Sequence, residues 1–184
     1  NETNSYSLTH ATQEWADWIS EFEACYDAVK AASPATLVYT TFQIEKMKGL
    51  GRARNGWNFP PDWSPVADHA RSGRIDAIGF TSYPYFEYDR PADIPVDYYD
   101  EIARYWTGPV IFSEIGWPAR ANGPYPGSEA DQADLVPRLF ERTDDLPLKA
   151  VVWLFLHDWD RQATTPAFSH VGFRDNAGSV VRGV

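Results

Sequence analysis

The chain has 184 residues and carries 26 acidic against 16 basic side chains, a formal net charge of −10, which sizes it for about one domain with a real core. At 43% hydrophobic and 15% aromatic residues it is too apolar for a disordered tail. Its acidic balance argues against a nucleic-acid partner, because a phosphate backbone selects basic patches. The single cysteine, Cys25, permits no internal disulfide and no cysteine-based zinc site.

The longest apolar run, Ala150 to Leu156, is far shorter than the roughly 20 residues that cross a bilayer, so no membrane partner is expected. The chain opens on Asn1 with no signal-like n-region and h-region, and is read as processed, truncated or cut from something longer. Compartment stays open on these grounds, and a secreted or extracytoplasmic location is compatible with them.

From Ala11 to Ala32, Trp15, Trp18, Ile19, Phe22, Cys25, Tyr26 and Val29 recur at three- and four-residue spacing, which predicts a helix burying one face. Thr36 to Gln43 is β-branched and aromatic, a strand. Glu45 to Trp63 has glycines, prolines and no period, a long loop. Ser64, as N-cap before Pro65, opens a short helix that Gly73 stops. Ile75 to Thr81 is the next strand, Pro95 to Trp106 a helix, and Val110 to Ser113 a short buried strand. Ser128 with Asp131 caps a helix to about Arg142, and Leu148 to Leu156 is the last strand.

The order α, β, α, β, α, β, α, β, with strands apolar enough to be covered on both faces, implies a parallel α/β sheet with right-handed crossovers. An open flavodoxin-like sheet usually has five strands and a closed (β/α)8 barrel eight. Four strands in a single domain, residues 1–184, fit half a barrel.

In parallel α/β folds the site lies at the carboxyl ends of the strands. Those ends carry Glu45, then Ser82-Tyr83-Pro84-Tyr85, then Ser113-Glu114, then His157-Asp158. Glu114, between Val110-Ile111-Phe112 and Ile115-Gly116-Trp117-Pro118, is expected to be partly desolvated on a stiff strand end; a structural ion pair is the alternative. Cleavage of a glycosidic bond needs a second carboxylate, one to protonate the leaving oxygen and one to attack or to activate water. Glu2 leads, although a terminal glutamate is ordinarily a solvated residue, and Glu45 is the internal substitute.

Trp57, Trp63, Tyr83, Tyr85, Phe86, Tyr88, Trp117, Trp153 and Trp159 crowd these loops. Flat rings of this kind line carbohydrate grooves, and also serve as core and lid packing. Period-two alternation puts Trp153, Phe155 and His157 on one face. Gly49 to Arg54 lacks the third glycine of a dinucleotide fingerprint, and Ser113 has no G-x-S-x-G setting. His157, Asp158 and Asp160 could ligate a metal, a spacing common in loops.

Taken in order, Asn1-Glu2, Asp76 to Phe86 (DAIGFTSYPYF), Val110 to Pro118 (VIFSEIGWP) and Val151 to Phe155 resemble the later strands of clan A retaining glycoside hydrolases. The S-E-x-G-W-P pattern is similar to that of the endo-β-1,3-glucanases, and DAIGFTSYPYF to both that family and the endo-β-1,4-galactanases. The resemblance implies the C-terminal half of a (β/α)8 barrel, with Glu2 as general acid/base at the end of the clan's fourth strand and Glu114 as nucleophile at the end of the seventh. It implies that Asn1 hydrogen-bonds the sugar 2-hydroxyl, that Tyr83 lies near the nucleophile and that Trp153 floors the cleaved subsite; from the aromatic loops and strand ends, Tyr85, Trp117 and His157 are also expected on the substrate.

The expected activity is therefore retaining, endo-acting hydrolysis of a neutral β-linked polysaccharide such as β-glucan or galactan, with no cofactor and no metal. An acidic surface suits an uncharged substrate. The first three strands and most of the fourth are absent from this pattern, so the expected partner is the remaining half-barrel, in the same or another chain. The rival readings are a carbohydrate-binding or degenerate hydrolase module that keeps the aromatic groove, and a metal-assisted hydrolase using His157, Asp158 and Glu114.

Overall fold

The computed structural model describes residues 1–4, 12–159 and 166–178. Ala11, Asp160 and the residues beyond 178 lie outside them. Helix α1 (Thr12–Ala32) precedes strand β1 (Tyr39–Gln43), and two single-turn helices follow, α2 (Ile44–Met47) and α3 (Arg52–Asn55). Helix α4 (Ser64–Ser72) leads to β2 (Ala77–Ser82), α5 (Glu101–Tyr105) to β3 (Val110–Ile115), a hairpin β4 (Arg120–Asn122) and β5 (Tyr125–Ser128) to α6 (Glu129–Glu141), and β6 (Leu148–Trp153) ends the sheet.

Strands β1, β2, β3 and β6 form one parallel sheet in that order, and β4 pairs with β5 antiparallel. Four parallel strands joined through helices and ordered in space as in sequence are the architecture of half a (β/α)8 barrel.

Several elements depart from expectation for identifiable reasons. The loop after β1 contains the two single-turn helices, each stopped at once: α2 by Gly49 in a left-handed conformation just beyond it, α3 by left-handed Gly56. Ser64 is not the N-cap of α4 but its first residue, and the Asp62 carboxylate accepts from the Ser64 amide at 2.9 Å.

Only the last turn and a half of the helix expected from Pro95 forms. Before it the backbone runs through i to i+3 turns, Tyr98 N to Pro95 O at 3.2 Å and Asp100 N to Asp97 O at 3.2 Å. The adjacent residues Tyr98 and Tyr99 are both buried there. Gly123-Pro124 turns the unexpected β4–β5 hairpin between the paired Asn122 and Tyr125, Gly123 having φ 58°. The capping expectation for α6 holds: Asp131 N donates to Ser128 Oγ at 3.0 Å. Strand β6 is half exposed rather than covered on both faces, since it is a sheet edge, and Val152 on it is open to solvent, as are Leu37 and Tyr39 around the start of β1. Cys25, grouped with the buried stripe of α1, is exposed.

The core lies between the sheet and its helices. Phe42, Phe80 and Phe112 occupy matching register on β1, β2 and β3, with ring centroids 6.5 and 6.3 Å apart. From the helical layer, His69 meets Phe42, Trp63 meets Phe80 and Tyr99 meets Phe112. Alternation therefore sends Thr41, Gln43 and Thr81 to the opposite, concave face.

Candidate active site

Residues 1–4 run beside β1, on the side away from β2. Thr3 N donates to Thr41 O at 2.8 Å, and Asn4 exchanges two hydrogen bonds with the Gln43 backbone. This edge contact brings the first two side chains to the carboxyl end of the sheet. Glu2 N donates to Thr41 Oγ1 at 2.9 Å, and Thr41 Oγ1 donates to Asn1 Oδ1 at 2.7 Å. The Glu2 carboxylate accepts from Thr81 Oγ1 at 3.0 Å and from Lys46 Nζ at 3.3 Å. Lys46, on α2, also stands over the Trp57 ring at 5.3 Å.

Glu114 reaches the same place through an irregularity in β3. Phe80 pairs with Phe112 but Thr81 pairs with Glu114, so Ser113 is an extra residue, a β-bulge. Without it, alternation from Phe112 would put Glu114 on the helix-facing side. With it, Glu114 stands level with the Thr81 that holds Glu2. Ser113 Oγ steadies the bulge by donating to Phe80 O at 3.2 Å.

One Glu114 oxygen accepts from Asn1 Nδ2 at 3.0 Å and the other from Tyr83 OH at 2.5 Å. Burial, and then the bond to the Glu114 carboxylate, raise the Tyr83 phenol far above its ordinary pKa, so it acts as a fixed donor to Glu114. The half-buried carboxylates of Glu2 and Glu114 thus share one hydrogen-bonded cluster with Asn1, Thr41, Thr81, Lys46 and Tyr83.

Other expected site residues lie elsewhere. Tyr85 is fully buried and donates to Ala167 O at 3.0 Å, and Trp117 is fully buried in contact with Tyr85, so neither presents a ring face to a ligand. Trp153 turns toward the chain end, its indole donating to Val171 O at 2.6 Å and stacking on Phe173 with centroids 4.5 Å apart. Exposed His157 sits by the same segment, with Nδ1 3.4 Å from Asp175 O. The alternating face anchors residues 171–175 rather than flooring the cleft.

Glu45 is not a second catalytic carboxylate: it is completely buried, bonded to Ser82, Tyr83 and Tyr98. Asp158 is engaged by His170 and by the Gly172 amide. Among the described residues no group of three His, Cys, Asp or Glu side chains is arranged to hold a metal ion, and no helix is long and apolar enough to cross a membrane.

Sequence reasoning missed Thr41, Thr81 and Lys46. The two threonines carried a signal in their alternation against Phe42 and Phe80.

No family model matches the chain, and no curated protein does. Solved structures do. An active-site mutant of Rhizomucor miehei β-1,3-glucanosyltransferase in complex with laminaritriose is 18% identical over 89% of this chain and 57% of that chain, with a TM-score of 0.55. A fungal β-1,4-galactanase is 15% identical over 92% of this chain and 53% of that chain, at 0.61. A hyperthermophilic β-glucosidase mutant is 14% identical over 88% of this chain and 44% of that chain, at 0.60. The chain therefore has the fold of the (β/α)8-barrel glycoside hydrolases and spans about half the length of these structures.

Proposed function

We propose that this chain is the C-terminal half of the catalytic barrel of a retaining, endo-acting β-glycoside hydrolase, with a neutral β-glucan or galactan as substrate. The observation that carries the reading is the bridge from Glu2 through Thr81 to the level of Glu114, together with the Asn1 amide on Glu114. Two carboxylates far apart in the sequence, Glu2 and Glu114, lie at one end of the sheet, the kind of pair that double displacement uses.

In that mechanism Glu114, steadied by donors from Tyr83 and Asn1, attacks the anomeric carbon while Glu2 gives its proton to the departing glycosidic oxygen. Water then displaces Glu114, and Glu2 takes the proton of that water. The Trp57 ring, next to Lys46 and so to Glu2, is suited to stack on a sugar face. The edge of β6, with Val152 exposed, and the start of β1, with Leu37 and Tyr39 exposed, suit a second half-barrel as the structural partner.

The test uses an activated 2-deoxy-2-fluoro β-glycoside, which traps a glycosyl-enzyme. A mass adduct on the peptide containing Glu114, absent in Glu114→Gln, is the expected result, with the product anomer retained by NMR. An inverted product, or an adduct elsewhere, overturns the reading.

A further inference from the structure

We infer that Glu45 is a positioning residue: from inside the core it seats the backbone of Tyr83 so that the Tyr83 phenol reaches Glu114. This rests on the reading of Glu114 as nucleophile. Glu45 lies on α2, just past the end of β1, and is wholly buried. Three donors converge on its Oε1: Tyr83 N at 2.9 Å, Ser82 Oγ at 3.0 Å and Tyr98 OH at 3.0 Å. Its Oε2 is buried with no partner.

A carboxylate with one oxygen left dry and unpaired is costly, and burial pushes the Glu45 carboxyl up to about 7 against the three donors that hold its other oxygen. Whatever its charge, Oε1 serves as the acceptor for all three donors.

The acceptor is needed where the sheet runs out. Strand β2 ends at Ser82, whose register partner Ile115 is the last residue of β3. Tyr83, with φ −132° and ψ 71°, has left the strand and caps the 3-10 turn Pro84–Phe86. Its buried amide finds its acceptor in Glu45, and an unmet amide there would be free to swing the ring. The phenol then closes on Glu114 Oε2 at 2.5 Å, with Phe168 and Phe86 against its ring.

Glu45→Gln keeps a carbonyl oxygen for the three donors, whereas Glu45→Leu keeps the volume and removes the acceptor. On an activated aryl β-glycoside, Glu45→Leu is expected to lower kcat about 10- to 100-fold with KM within about threefold, and Glu45→Gln to restore kcat to within about threefold. Adding Tyr83→Phe to Glu45→Leu should cost little more than Tyr83→Phe alone.

A readout independent of turnover is the downfield proton resonance of the Tyr83 hydroxyl, assigned by its loss in Tyr83→Phe. It should persist in Glu45→Gln and vanish in Glu45→Leu. If Glu45→Leu does not fold, Glu45→Asp, one methylene short of the amide, should give the same loss. A hydroxyl signal and kcat unchanged in the Leu or Asp variant, or lost equally in the Gln variant, overturns the inference. Glu114→Gln separates the two readings: full turnover in that variant defeats the nucleophile assignment, while the hydroxyl signal, read in the Glu45 variants with Glu114 intact, still reports on Glu45.

Discussion

Asn1 Nδ2 donates to Glu114 Oε1 at 3.0 Å, joining side chains 113 positions apart, and Tyr83 OH holds the other Glu114 oxygen at 2.5 Å. Hydrogen bonds to a charged group contribute about 1.5 to 3 kcal/mol each, and two donors fix the direction of the proposed nucleophile. Tyr83→Phe is therefore expected to lower kcat on an activated aryl β-glycoside by about 10- to 100-fold. Steady-state kinetics check this, and a kcat within twofold of wild type would count against the donor role of Tyr83.

His69 tests the core. Both ring nitrogens are buried without partners among Trp15, Phe22 and Phe42. Burial lowers its pKa from 6.5 to about 4, against the opposing charge of Asp68. The unfolded chain binds this proton first on acidification, so stability present above pH 6.5 is lost as pH falls toward 4, by about 3 kcal/mol. His69→Leu should remove that part of the acid sensitivity, read from urea midpoints between pH 7 and 4.

Glu45 predicts the reverse slope. Its folded pKa of about 7 lies above the ordinary 4.5, so the unfolded state releases the proton first as pH rises. Stability is full below pH 4.5 and falls by about 3 kcal/mol through pH 7. The stability difference between Glu45→Gln and wild type should shift by that amount in favour of the variant from pH 4 to pH 8. A difference independent of pH would mean that Glu45 is ionised throughout.

Gly116 follows Ile115 at the end of β3, and a Cβ there would lie 2.2 Å from Cγ1 of Val171, which is fully buried. Val171 also receives the Trp153 indole on its carbonyl. Gly116→Ala should destabilise by about 1 to 3 kcal/mol through overpacking. Because a single methyl carries the clash, the double variant Gly116→Ala/Val171→Ala should be less destabilised than the sum of its parts, measured as a double-mutant cycle of denaturant midpoints.

The alternation of strands and helices was legible because β-branched and aromatic runs sit between helical periods, and the motif around Glu114 named the nucleophile candidate. The Ser113 bulge was not, since it is set by how β3 pairs with β2 rather than by local sequence. Nor was the β4–β5 hairpin, whose strands lack an apolar alternation. Tyr85 and Trp117 were misassigned because adjacency in a loop does not distinguish a ring on the cleft wall from one beneath it; both are fully covered. Thr41, Thr81 and Lys46 escaped notice because their roles exist only once residues 1–2 are laid against β1.

Among the described residues Glu2 alone, apart from glycines, has a positive φ, at 54°. L-residues other than asparagine and aspartate adopt this mirror-handed twist at an energetic cost, so the carboxylate stands on a bend that its own residue type disfavours. An asparagine exchanged into that position would relieve the chain while erasing the proposed proton donor. On the proposed mechanism, the product would be an inert decoy, shaped to grip an uncut polymer for crystallography.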